Sequence, residues 1–168
     1  MTLESLQPGL KALIREASTS LPPDIEAALR GAQEREGSDG ARGVLATIGE
    51  NILEARRLGT PICQDTGFPS FFFRFPAGTS LRALRAAAEA ALTWATGAQL
   101  LRPNAVDPIT GANSGNNVGQ GAPGLYFEEH DEDRLEVDLL LKGGGSENVS
   151  AQCKLPDASI GAGRDLNG

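Results

Sequence analysis

The segment Ile62-Cys63-Gln64-Asp65-Thr66-Gly67 sets a thiol, an amide, a carboxylate and a hydroxyl side by side and closes on a glycine. Thiolate is the ligand that holds iron in a sulfide cluster, and a cysteine on an irregular loop leaves backbone amides free to bond the sulfurs. A neighbouring carboxylate can give or take a proton on whatever the iron binds. Taken alone, the same residues also fit an inert or redox-sensitive thiol at Cys63. Asp65 equally fits a turn-forming carboxylate that bonds its own backbone.

Two other places suit anion recognition. Arg102 opens a long loop, and its planar guanidinium fits a bidentate grip on a carboxylate, with an ordinary surface arginine as the competing reading. On a chain of formal net charge -7 any anionic ligand needs such local positive charge to be held. The run Gly143-Gly144-Gly145 offers unhindered N–H groups, a concave nest for an anionic oxygen or a cluster sulfide. Three glycines at a strand end are also a flexible turn. They are not a nucleotide loop, because Lys142 precedes the glycines instead of following them. His130, the only histidine, sits in the run Glu128-Glu129-His130-Asp131-Glu132-Asp133 and reads as a solvated turn residue without a role.

The elements that must position these groups follow from periodicity. Leu3, Leu6, Leu10, Leu13 and Ile14 keep a helical period that Pro22-Pro23 ends. A short second helix over about 24–30 leads to the polar loop 36–40. A third, with Val44, Leu45, Ile48, Ile52, Leu53 and Leu58, closes at Gly59 as a left-handed cap, which places 60–67 on a loop. Phe71, Phe72, Phe73 and Phe75 mark a short buried strand over 70–75. Ser80 caps an alanine-rich packing helix that runs to about residue 96. Residues 102–124 are dense in Asn, Gly and Pro without periodicity, and a loop of that length is often functional. Segments 125–129 and 135–142, on either side of an acidic turn, read as a β-hairpin. The fold class is α+β (mixed α/β): amino-terminal helices, short strands, a packing helix and a β-hairpin, in an incomplete domain whose strand order the pattern leaves open.

Length and composition bound the reading. The chain of 168 residues suits one ordinary domain or part of a larger one. With 40% hydrophobic and 22% charged residues it is neither disordered nor fibrous, while Gly 21 and Pro 10 point to long ordered loops. The acidic balance argues against nucleic acid, and no apolar run approaches the roughly 20 residues of a membrane span. The start lacks a signal-peptide pattern, so a cytoplasmic protein is expected. Two cysteines far apart are too few for a disulfide scaffold.

Three runs, taken together, resemble a known family. They are Cys63-Gln64-Asp65-Thr66-Gly67; Leu101-Arg102-Pro103-Asn104-Ala105-Val106 with Gly115-Asn116-Asn117-Val118; and Lys142-Gly143-Gly144-Gly145-Ser146-Glu147-Asn148. Their order and spacing are similar to the alpha subunit of two-subunit class I fumarate hydratases and of L-tartrate dehydratase, over about residues 44–168. The resemblance implies a 4Fe-4S cluster with three cysteine ligands and one iron open to substrate. Cys63 would then be a metal ligand, Asp65 the proton-transfer residue, and Gln64 and Arg102 partners of substrate carboxylates. Gly144 and Gly145 would offer amides to the same small dicarboxylate. Asn116 and Asn117 would orient the loop. Cys153 stands where the family has no ligand and reads as a half-buried structural thiol.

The implied reaction is reversible hydration of fumarate to (S)-malate, with L-tartrate dehydration as the neighbour. A truncated, non-catalytic scaffold that binds a partner subunit is a reading of another class, and a Cys63–Cys153 redox pair a third, requiring alpha carbons within about 7 Å. The family's other cluster cysteines lie further along the subunit. Its other basic groups come from a beta subunit or carboxy-terminal domain. Residues 1–168 are thus expected to be the amino-terminal part of the alpha-subunit domain, forming a homo- or hetero-oligomer, inactive alone and without a retained cluster.

Overall fold

The computed structural model of the chain describes residues 3–145, 154–161 and 163. Its elements run α1 (Leu3–Thr19), α2 (Pro23–Arg35), α3 (Asp39–Leu58), β1 (Phe68–Pro76), α4 (Leu81–Gly97), β2 (Gly124–His130) and β3 (Glu136–Lys142), with a short 3-10 turn at Ala158–Ile160. The caps lie where side-chain chemistry asks for them. Ser38 and Ser80 accept the Ala41 and Ala83 N–H groups at the starts of α3 and α4. Gly59 ends α3 at φ 66, a conformation that glycine adopts without steric cost.

The α+β class holds, but the hairpin does not. Strand order is β2-β1-β3: β1 lies in the middle, parallel to β2 and antiparallel to β3. Phe72 therefore faces Tyr126 on one side and Asp138 on the other. Two strands joined by a short polar link carry the same periodicity whether they pair or flank a third. The link 131–135 reaches up to about 17 Å when extended, which clears the roughly 10 Å that two inter-strand spacings require. The parallel β1–β2 pair is connected through α4, as a crossover demands.

One face of the sheet carries the core. Phe71 (0% exposed), Phe73 (1%) and Phe75 (5%) alternate inward and meet Leu10 and Ile14 of α1 and Leu84, Ala88 and Leu92 of α4. The alanines of α4 are what let this helix lie close to α1: Ala87, Ala88, Ala91 and Ala95 are all fully buried. Phe72 belongs to the opposite, open face, where its ring stacks on Tyr126 with centroids 4.6 Å apart. Helices α2 and α3 pack on each other to one side, so most of the apolar line read from α3 stays exposed. Val44, Leu53 and Leu58 face outward, while Ile52 and Ala55 are buried. None of the described helices is long and apolar enough to cross a membrane.

Truncating Phe73 to alanine is expected to lower the unfolding free energy by about 3–5 kcal/mol in a urea titration. Phe72→Ala should cost much less, and equal losses would contradict the one-sided burial.

Candidate functional site

The loop between α3 and β1 is fixed at its root and open at its tip. Ile62 N–H donates to the Ser18 carbonyl at the end of α1 (3.0 Å), and the Ile62 carbonyl accepts from Asn51 Nδ2 of α3 (2.8 Å). Both backbone polar groups of Ile62 are thus engaged, while the next three residues, Cys63, Gln64 and Asp65, are all exposed. The Cys63 thiol points to Gln64 Oε1 at 3.8 Å, and its sulfur accepts the Asp65 N–H at 3.4 Å. A loop sulfur met by a backbone amide is the environment in which thiolate ligands occur.

Asp65 joins this loop to the end of β3. Its Oδ1 accepts the Gly67 N–H (3.2 Å), a local turn bond of the kind aspartate makes with its own backbone. Its Oδ2 accepts from Gly144 N–H (3.1 Å) and Gly145 N–H (3.2 Å). The glycine nest thus holds an anionic oxygen, and that oxygen belongs to Asp65. A Cβ at Gly143 would lie 3.0 Å from Asp65 Oδ2, so the carboxylate would have to give by a few tenths of an ångström to admit one. Gly67 is under tighter constraint: at φ +79 its Cβ would lie 2.7 Å from the Lys142 backbone. The loop and the strand end therefore touch through backbone.

The 98–123 connection supplies the third side. Thr66, buried at 7% exposure, accepts the Arg102 N–H through Oγ1 (2.9 Å). Arg102 Nη1 reaches back to the Gln64 carbonyl at 3.4 Å. Among the described residues no carboxylate forms an ion pair with Arg102, so its exposed guanidinium keeps its charge available to an anion. Asn104 Nδ2 donates to the Gly67 carbonyl at 3.3 Å. Further out, the backbone N–H groups of Thr110 and then Ile109 hold the Asp107 carboxyl below its usual range.

A cavity of about 560 Å³ opens among Asp65, Gly67, Phe68, Ser70, Asn104, Lys142, Gly144 and Gly145. Cys63, Gln64, Asp65, Arg102, Gly144 and Gly145 thus form one bonded neighbourhood, although Cys63, Gln64 and Arg102 lie outside the cavity lining. Thr66 and Asn104 belong to it too, with nothing in the sequence pattern to assign them a role: a threonine in a turn and an asparagine in a loop carry no periodic signal. His130 stands apart at the end of β2, where its Nδ1 accepts the Glu132 N–H (3.1 Å) and its Nε2 is buried without a described partner. It is thus half-buried instead of freely solvated. Cys153 and Ser146-Glu147-Asn148 lie outside the described residues, so the structural thiol and the redox pair do too.

As a donor set for inorganic iron, these residues fit one corner of a cluster. The Cys63 sulfur is accessible and on an irregular loop, while among the described residues no three His, Cys, Asp or Glu side chains converge on a metal position.

A family model described as fumarate hydratase (Fumerase) matches residues 8–163. The chain is 44% identical over 171 residues to the "Putative fumarate hydratase class I" of Geobacillus stearothermophilus, covering 99% of this chain and 33% of that protein. It is 33% identical over 147 residues to the L(+)-tartrate dehydratase subunit alpha of Escherichia coli (strain K12), covering 84% of this chain and 45% of that protein. The chain spans between a third and a half of the length of the relatives it matches.

Gly67→Ala should destabilise the chain by about 2–4 kcal/mol, since both its φ and its contact with Lys142 exclude a side chain. Gly144→Ala, with open space at the Cβ position, should cost under about 1 kcal/mol. Chemical denaturation of the two variants checks the contrast.

Proposed function

The chain belongs to the fumarate hydratase (Fumerase) family, and from that premise we propose that it is the amino-terminal part of a 4Fe-4S hydro-lyase that interconverts fumarate and (S)-malate. The observation that carries this reading is one hydrogen-bonded neighbourhood that holds an accessible sulfur, a carboxylate, an arginine without an ion-pair partner among the described residues, and a glycine nest, with the carboxylate and the nest lining a cavity. In this reading the protein acts in the cytoplasm. A beta subunit or a carboxy-terminal domain supplies the remaining substrate-binding groups, and the remaining cluster thiolates come from beyond the described residues. Exposed apolar side chains such as Val44, Leu53, Phe72 and Tyr126 are the kind of surface such a partner covers.

Hydration adds a hydroxyl to one alkene carbon and a proton to the next, while two carboxylates are held still. Cys63 would hold the cluster, which when bound supplies a Lewis-acid position for an oxygen. Arg102 grips a substrate carboxylate through parallel N–H bonds, and Gln64 beside it donates or accepts a further hydrogen bond. Asp65 gives the proton to carbon in hydration and takes it back in dehydration. Three of the roughly four acceptor positions of its carboxylate are occupied by backbone N–H groups. This fixes its direction and leaves one lone pair for the reacting proton. Gly144 and Gly145 border the substrate, while their N–H groups hold Asp65 Oδ2 in place. Tartrate dehydration needs the same residues, and the higher identity to the fumarate hydratase relative, 44% against 33%, favours fumarate.

In the complete protein reconstituted anaerobically with iron and sulfide, Cys63→Ala is expected to lose most of the bound iron and all hydratase activity. Iron content equal to wild type would remove the cluster assignment. Asp65→Asn should retain iron while kcat falls by about 10²–10⁴-fold with little change in KM, as read from steady-state rates with fumarate and with L-tartrate.

A further inference from the structure

The turn Arg102-Pro103-Asn104 has no backbone ladder to hold it. Pro103 brings no N–H, the Arg102 N–H goes to Thr66 Oγ1, and the Pro103 carbonyl accepts Asn113 Nδ2 at 2.7 Å. Of the groups left, the Arg102 carbonyl and the Asn104 N–H are met by one side chain. Asn117 Nδ2 donates to the Arg102 carbonyl (2.7 Å), and Asn117 Oδ1 accepts the Asn104 N–H (2.7 Å). The same Nδ2 also donates to Thr96 Oγ1 (2.9 Å), whose hydroxyl in turn donates to the Leu92 carbonyl (2.9 Å) in the buried helix α4.

Asn117 is 1% exposed and stands at φ 62, a left-handed conformation that asparagine accepts more readily than most residues. A complementary donor and acceptor on one planar group are what this pair of groups requires. An apolar side chain in its place would strand a carbonyl and an N–H away from water. Arg102 is thereby fastened on both sides of its Cα, to Thr66 through its N–H and to Asn117 through its carbonyl. Its exposed guanidinium inherits that placement. Asn104, held by the same amide, in turn bonds the Gly67 carbonyl beside Asp65.

We propose that Asn117 is the positioning residue for Arg102: its buried amide transmits the rigidity of α4 to the dicarboxylate grip without touching substrate. The inference rests on the proposed role of Arg102, and its test separates the two. Asn117→Gly removes the side chain while accepting the positive φ. In the complete, iron-loaded enzyme, hydrogen exchange over residues 100–106 should accelerate by about 10-fold or more, while a peptide over 69–76 in the core strand stays protected. KM for the diacid should rise about 10-fold with kcat changed by less than about 3-fold. Combined with Arg102→Ala, the second substitution should add almost nothing to the KM already lost, as expected for residues acting through one contact. Unchanged exchange over 100–106, or penalties that multiply in full, overturns the inference. An Arg102→Ala variant with unaltered KM instead removes the grip assigned under the proposed function. Exchange alone then decides whether Asn117 holds the turn.

Discussion

At Gly67 the chain turns into β1 so close to the end of β3 that a single methyl group would overlap the Lys142 backbone. That approach fixes the relative height of two loops whose bonded residues lie 79 and 80 apart in sequence. It sets Asp65, two residues upstream, over Gly144 and Gly145, two and three residues downstream of Lys142. The short distance is worth having only because the carboxylate and the two amides complement each other. The pairing in turn closes the glycine turn around an oxygen. Loop, strand end and carboxylate form one unit, so a side chain at Gly67 would disturb the site and the sheet together.

Rigidity reaches this unit by two routes of different chemistry. The core route is apolar: Phe71, Phe73 and Phe75 lock β1 onto α1 and α4, and β1, as the middle strand, carries both neighbours with it. The peripheral route is polar and made largely by side chains, through Asn51 and Ser18 at Ile62, Thr66 at Arg102, and Asn117 at both Arg102 and Asn104. Loops cannot bury enough apolar surface to hold themselves, so their backbone groups need named partners. A buried amide does this with two directional bonds where packing alone would leave the loop free to slide. The exposed side chains at the tip then need no contacts of their own to be well placed.

The open face of the sheet adds a different kind of constraint. Phe72 and Tyr126 stack there, Phe68 and Leu140 are exposed beside them, and Arg74 bridges Glu136 and Asp138 further along. Phe68 lines the candidate cavity as well, so this apolar surface runs directly into the site. In the proposed enzyme, whatever covers the face also closes the cavity, which would exclude water from the hydrogen bonds around Asp65 and strengthen them.

The chain by itself determined much of the local structure. Helix caps at Ser38, Ser80 and Gly59, the stop at Pro22-Pro23 and the alternation of Phe71, Phe73 and Phe75 depend on neighbours within a few residues. So does the loop character of the Cys63-Gln64-Asp65 run. The neighbouring types in that run, with the arginine and the glycines, carry the family resemblance in the sequence itself. What the linear pattern left undecided was every relation across distance. A hairpin and a split pair of strands have the same period, so only three-dimensional packing could place β1 between β2 and β3. The glycine nest was legible as an anion holder, but its occupant, Asp65, became known only once β3 ended beside Gly67. The sequence pointed to Asn117 as a loop-orienting residue but not to the groups it holds, because a buried amide takes its meaning from partners 13, 15 and 21 residues away. Local propensity acts over one turn of chain, whereas a site is closed by contacts whose geometry exists only after the chain has folded back on itself.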